Sequence, residues 1–153
     1  MDERRTVLLL NGPNLNLLGV REPEIYGTAT VDDHAETAAK AAVAHGLQLE
    51  HHQSNHEGEL IELIHGARGR CGAIVINAGA FTHYSWAIHA ALATFDGPIV
   101  ELHISNPHRR EAWRNSSVVA PVATGTICGF GGDGYRLAID AVAGLLDRPS
   151  EGR

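Results

Sequence analysis

Lysine is almost missing from this chain: Lys40 is the single one among 153 residues. It falls inside an alanine-rich stretch, away from every predicted strand end. Imine catalysis needs a desolvated lysine amine beside the substrate, and no such residue is expected here. Cysteine is nearly as scarce. Cys71 and Cys128 lie far apart without CxxC spacing, so two buried thiols are expected rather than a disulfide, and their apolar surroundings speak against a nucleophilic role. No apolar run approaches the ~20 residues of a membrane span. The short run from Thr6 to Leu10 is too brief for a secretory signal, so a cytoplasmic protein without membrane contact is expected. Positive charge is also in deficit. A net charge of −6 argues against a nucleic-acid binder, which would carry a basic stripe.

What is present is globular in kind, with 44% hydrophobic and 20% charged residues. A chain of this length can bury roughly 70% of its unfolded surface as one domain. No repeat or linker divides it, so residues 1–153 are expected to form a single domain with a loose tail from about 148. Thr6-Val7-Leu8-Leu9-Leu10 is a continuous apolar run ending in Asn11-Gly12-Pro13-Asn14, the pattern of a buried strand and a sharp turn. Further strands are predicted at 47–53, 73–76, 99–103 and 122–127. Helical patterns alternate with them. One opens on a capping box at Thr30-Val31-Asp32-Asp33, and a second on Ser54-Asn55-His56-Glu57. Others are predicted over 83–93, from Pro107 at a first helical position, and over 134–146. Residues 16–29 have no period and hold Gly19, Pro23 and Gly27, which makes a long loop of the kind that tends to be functional. The βα alternation predicts an α/β, flavodoxin-like three-layer sandwich with a five-stranded parallel sheet.

Ligands in such folds sit beyond the carboxyl ends of the strands. Three of those ends are polar: Gly12-Pro13-Asn14, Asn77 to His83, and Glu101-Leu102-His103-Ile104-Ser105-Asn106. Alternate residues share a strand face, so Glu101 and His103 point the same way, with Ser105 following if the chain stays extended. A carboxylate and an imidazole are costly to bury unless paired. Alone they make a structural ion pair as readily as a site. With Asn77 and His83 converging from the next strand end, a functional site is the better reading. Arg110 and Arg114 are four apart and would share a helix face, as a solvated basic face or as an anion clamp. The helix start near Ser105 and Asn106 would add N–H groups suited to a carboxylate. Arg21 and Tyr26, taken alone, are an ordinary surface pair.

Together these residues resemble the type II 3-dehydroquinate dehydratases. The likeness rests on five ordered motifs: Leu10-Asn11-Gly12-Pro13-Asn14-Leu15-Asn16-Leu17-Leu18-Gly19; Arg21-Glu22-Pro23-Glu24-Ile25-Tyr26-Gly27; Gln53-Ser54-Asn55-His56-Glu57-Gly58; Asn77-Ala78-Gly79 with Thr82-His83; and Glu101 to Asn106. It covers about residues 6–146. The resemblance implies trans-elimination of water from 3-dehydroquinate to 3-dehydroshikimate through an enolate, without metal or cofactor, in aromatic biosynthesis or quinate breakdown. It assigns Tyr26 as the base at C2, with Arg21 on the same lid favouring the phenolate. His103 becomes the acid that protonates the departing C1 hydroxyl, oriented by Glu101. Asn14 holds a water against the enolate oxygen. Asn77, His83 and Arg114 bind hydroxyls or the carboxylate with the backbone of Ile104 and Ser105, and Arg110 closes over the site. The same resemblance implies a homo-dodecamer, a tetramer of trimers.

The chemistry asks for such a set. A free tyrosine is only about 0.1% ionised at pH 7, and neighbouring cations favour the phenolate. One departure stands out: the family's usual Arg-Asp pair after Thr-His falls on His89 and Ala90. The family's aspartate reaches the neighbouring subunit's substrate, and Ala90 cannot, although Trp86 and Phe81 stand near enough to fill space by packing.

Rival readings have less behind them. Gly129-Phe130-Gly131-Gly132-Asp133-Gly134 matches GxGxxG, but only 19 residues follow Gly134, too few for a dinucleotide fold, so a tight turn is expected. His51 and His52 should point to opposite faces of a strand, and with His56 they are read as structural or exposed rather than metal-binding. A non-catalytic flavodoxin-like module would have no need of a Tyr–Arg lid over a His–Glu pair. A response regulator would need carboxylates at the end of strand one, where Asn11 and Asn14 stand.

Overall fold

The apolar runs become strands buried from both sides. The structure is a computed structural model describing residues 2–148. The tail expected to be loose lies, from residue 149 onward, outside the described residues. β1 (Thr6–Asn11), β2 (Gln48–Gln53), β3 (Ala73–Asn77), β4 (Ile99–His103) and β5 (Gly125–Cys128) form one sheet in the order β2-β1-β3-β4-β5. Every pairing is parallel, the flavodoxin-like order.

Because side chains alternate along a strand, β1 feeds both layers. Val7 and Leu9 pack under α2 (Val31–Ala44) and α5 (Asp133–Leu146), against Ala38, Ala42, Ala138 and Ile139. Leu8 and Leu10 pack under α3 (Glu57–Ala67) and α4 (Trp86–Leu92), against Leu60, Ile64, Ile88 and Leu92. The strand order reverses between β1 and β3, and the crevice beyond their carboxyl ends is where such sheets take ligands.

Boundaries differ from expectation where side chains outbid periodicity. The Thr30 capping box forms, with Thr30 and Asp33 exchanging side-chain and backbone bonds. The box expected at Ser54 does not. His56 stands at the N-cap of α3 without a side-chain bond, and Ser54, two residues before it, donates to the Glu59 carboxylate and accepts the His56 N–H. The helix expected over 83–93 is shorter: α4 starts at Trp86, capped by Ser85 Oγ accepting from Ile88 N–H, after a separate 3₁₀ turn at Gly79–His83. No α-helix follows Pro107. Two 3₁₀ turns, Pro107–Arg109 and Ala112–Asn115, stand there instead, separated by extended backbone at Arg110. That segment has no apolar stripe to bury, and most helical stability comes from such packing. β5 begins later than expected because Ala120–Val122 closes into a 3₁₀ turn around Pro121, which has no N–H for a ladder. The cysteines are half-buried rather than buried. Among the described residues, no helix is long and apolar enough to cross a membrane.

Candidate active site

The end of β4 holds a carboxylate bonded by four side chains. Glu101 is 1% exposed, and its Oε2 accepts from His103 Nε2 at 2.7 Å, Ser117 Oγ at 2.8 Å and Thr82 Oγ1 at 2.9 Å. Thr126, its register neighbour on β5, donates to Oε1 at 3.3 Å. Burial pushes this carboxyl up, but the His103 bond and charge, with the two hydroxyl bonds, outweigh it and hold Glu101 below the ordinary value. Glu101 therefore stays ionised, and with Nε2 occupied, Nδ1 is the His103 nitrogen left for other partners.

His83 lies beside it, ring centroids 6.4 Å apart and nearly parallel. Its Nδ1 donates to the Ser116 carbonyl at 2.7 Å. Burial, only partly opposed by that bond, lowers its proton affinity, with the His103 and Arg114 charges adding to the effect. Asn77, at the end of β3, donates through Nδ2 to the Tyr135 hydroxyl and accepts from the Gly79 N–H through Oδ1. Asn14 sits in the left-handed region at φ 69°, where asparagine is tolerated, and its N–H is held by the Asn55 side chain.

The loop expected over 16–29 is less bare than its sequence implied. It holds a 3₁₀ turn, Leu15–Leu17, and a single helical turn, α1 (Pro23–Tyr26). Gly19 and Gly27 bracket it at φ 95° and 81°, conformations that favour glycine. Arg110 Nη1 donates to the Tyr26 hydroxyl at 2.8 Å and to Ser105 Oγ at 3.1 Å, tying the loop to the end of β4. The guanidinium carbons of Arg21 and Arg110 lie 5.3 and 5.4 Å from the centre of the Tyr26 ring.

One cavity, open to solvent, joins these parts. Tyr26, His103, Arg21, Asn14, Asn77, His83, Ile104, Ser105, Arg114 and Arg110 all line it, while Glu101 stands behind His103. The arginines arrive without the expected helix. Arg114 is braced by Glu111 and lies 4.1 Å over the Trp113 ring. The expected helix N-terminus for a carboxylate is likewise replaced, since Asn106 Oδ1 takes the His108 N–H. Ser105 does not continue the strand, which stops at His103; the backbone bends there.

Sequence reasoning missed Ser117 and Thr126, and used Thr82 only as a motif letter. Thr126 would have needed the β4–β5 register, and Ser117 carries no signal of its own. His89 does not reach the cavity, because its Nδ1 bonds the Val118 carbonyl. Phe81 packs on the core, whereas Trp86 meets the His89 ring edge-on and is 64% exposed. The glycine run at 129–134 makes the tight turn expected, with the Gly129 and Gly131 N–H groups bonded to the carbonyls of His103 and Ile104. His51 and His52 take different partners, Asn11 and Glu50. Among the described residues, no group of three or more metal-ligating side chains is gathered to hold a metal ion.

The comparisons agree with one another. The family model described as class II dehydroquinase matches residues 5–143. The "3-dehydroquinate dehydratase 2" of Pseudomonas putida is 55% identical over 140 residues, covering 92% of this chain and 94% of that protein. The "catabolic 3-dehydroquinase" of Penicillium rubens is 46% identical over 148 residues, covering 97% of this chain and 96% of that one. The crystal structure of a type II dehydroquinase from Propionibacterium acnes superposes with a TM-score of 0.88 at 44% identity, covering 92% of this chain and 97% of its own. With the sheet order, the cavity and these matches all pointing one way, the chain belongs to the class II dehydroquinase family.

Proposed function

We propose that this protein is a 3-dehydroquinate dehydratase that removes water from 3-dehydroquinate to give 3-dehydroshikimate by proton abstraction and enolate collapse. The observation that carries the reading is a tyrosine hydroxyl gripped by Arg110 on one wall of a cavity and a carboxylate-backed imidazole on another. Tyr26, as phenolate, takes the C2 proton; Arg21 and Arg110 offset its charge. The electron pair moves into the enolate, whose oxygen is met by a water that Asn14 holds. His103 then gives its Nδ1 proton to the C1 hydroxyl, which leaves as water, while Glu101 stabilises the imidazolium before the proton is handed over. Asn77, His83, Ser105 and the Ile104 backbone bind hydroxyls, and Arg114 takes the carboxylate. General acid–base groups so placed are worth about 10²–10⁴ in rate, and preorganised donors at the enolate oxygen commonly more.

The loop over 16–29 acts as the lid, within a single catalytic domain. A dodecamer built as a tetramer of trimers belongs to the same proposal. Tyr84 and Trp86, both largely exposed, offer apolar surface for such an assembly to cover, and sedimentation velocity measures it. One relative carries a catabolic name, and either aromatic biosynthesis or quinate breakdown would use this reaction in the cytoplasm. The direct test is an ultraviolet assay with 3-dehydroquinate. Enone absorbance that survives chelator and borohydride treatment is expected, and no absorbance from folded, oligomeric protein would overturn the substrate assignment.

A further inference from the structure

We propose that Tyr135, which does not line the cavity, is a positioning residue for the Asn77 amide, locking its orientation through a hydrogen-bond chain across three strand ends. The inference rests on the reading of Asn77 as a substrate-binding residue.

Tyr135 comes from the first turn of α5 and is fully buried. Its hydroxyl accepts from Asn77 Nδ2 at 3.2 Å and donates to Asn11 Oδ1 at 2.6 Å. Asn11 and Asn77 are register partners on β1 and β3 and face the same layer. Asn11 Nδ2 lies 3.0 Å from His51 Nε2 on β2. At the other end, the Gly79 N–H points at Asn77 Oδ1 from 3.3 Å.

That last contact gives the chain its direction. A backbone N–H can only donate, so Asn77 must present its oxygen to Gly79 and its nitrogen to Tyr135. The Tyr135 hydroxyl, having accepted one proton, donates its own to Asn11, whose nitrogen in turn donates to a neutral His51 Nε2. Flipping either amide would set donor against donor. Burial keeps the chain in this state: it pushes the Tyr135 phenol far up, so the hydroxyl remains a donor, and it lowers His51, favouring the neutral form that can accept. His34 fixes the phenol plane, stacked at 4.9 Å and 9°. The imidazole acts there as a packing ring, its Nε2 buried without a hydrogen-bond partner among the described residues.

An asparagine amide has two acceptor sites and two donors. With one of each committed to Gly79 and Tyr135, the remaining oxygen lone pair and N–H are held at fixed angles in the cavity wall, matched to a hydroxyl that both donates and accepts. Without Tyr135 the amide could rotate, and the substrate would have to order it on binding.

The test is Tyr135→Phe, assayed with 3-dehydroquinate beside the unsubstituted enzyme. KM is expected to rise about three- to ten-fold, the worth of one ordinary hydrogen bond, while kcat changes little. In an Asn77→Ala background the same substitution should add nothing to KM, because coupled residues are non-additive. An unchanged KM, or an undiminished effect in the Asn77→Ala background, overturns the proposal. An inactive unsubstituted enzyme would instead overturn the assigned reaction. Should Tyr135→Phe not fold, the Tyr135 hydroxyl proton of the unsubstituted protein is followed by NMR. A shift on saturation with 3-dehydroshikimate is expected, and a hydroxyl signal indifferent to that ligand counts as refutation.

Discussion

The end of β4 and the loop that carries Tyr26 meet across one cavity but are built on opposite principles. At the strand end, His103 is 9% exposed and leans on a carboxylate that four side chains hold. In the loop, Tyr26 sits on one helical turn between two positive-φ glycines, and its hydroxyl bonds to Arg110 alone among the described residues. The first region owes its geometry to the sheet, whose ladder fixes residues 101 and 103 before any ligand arrives. The second owes it to Arg110, which bridges the loop to Ser105. A preorganised acid opposite a lightly tethered base lets substrate enter past the base without disturbing the acid.

Substitutions can break or sharpen that contrast. Tyr26→Phe is expected to have the largest effect on rate, lowering kcat by about 10³ or more with KM and thermal stability nearly unchanged, as measured by steady-state kinetics and calorimetry. A fall in Tm comparable to that of a core substitution would show the loop to be structural after all. Glu101→Gln comes next. It should lower kcat by about 10² and lower Tm as well, since donors arranged for a carboxylate would then face an amide.

Acid should act on the strand end in the same sense. Glu101 lies below its ordinary value when folded, so its contribution is present above the ordinary carboxylate range and is lost as pH falls through the folded value. His83 is also lowered, so below the ordinary histidine value the unfolded chain binds its proton more readily and stability falls there too. Tm should therefore decline in two stages on acidification, and Glu101→Gln should flatten the lower one. An identical profile in the variant would remove Glu101 from the account. The smallest effect is expected from Gly27→Ala. Nothing lies within 4 Å of the Cβ it would add, so the penalty is in the backbone, whose φ 81° and ψ −172° favour glycine, and is about 1–3 kcal/mol. A few-fold loss in kcat/KM with unchanged Tm would place that strain in the loop's closed arrangement.

Much of this was legible in the chain. The parallel sheet could be read from the apolar runs of β1, β3 and β4 alternating with amphipathic stretches, because burial on both faces selects apolar residues, while the edge strands β2 and β5 stay partly open. Glu101 and His103 could be paired from their spacing alone. What misled was local grammar in segments without a core-facing stripe. Pro107 and a four-residue arginine spacing look like a helix, yet with nothing to bury the segment takes two 3₁₀ turns and delivers Arg110 and Arg114 by another route. Ser54 looked like a cap, but the helix starts at Glu57, and the Ser54 hydroxyl donates to the Glu59 carboxylate while accepting the His56 N–H.

The sequence by itself determined which layers form, which strand ends are polar and which residue types crowd there, since these follow from periodicity and the cost of burying charge. Only the tertiary structure decided which groups touch. Thr126 reaches Glu101 through strand register, Ser117 through the path of a loop, and Tyr135 reaches Asn77 from 58 residues away by the docking of α5. Such contacts depend on where whole elements come to rest, and no local pattern carries that information.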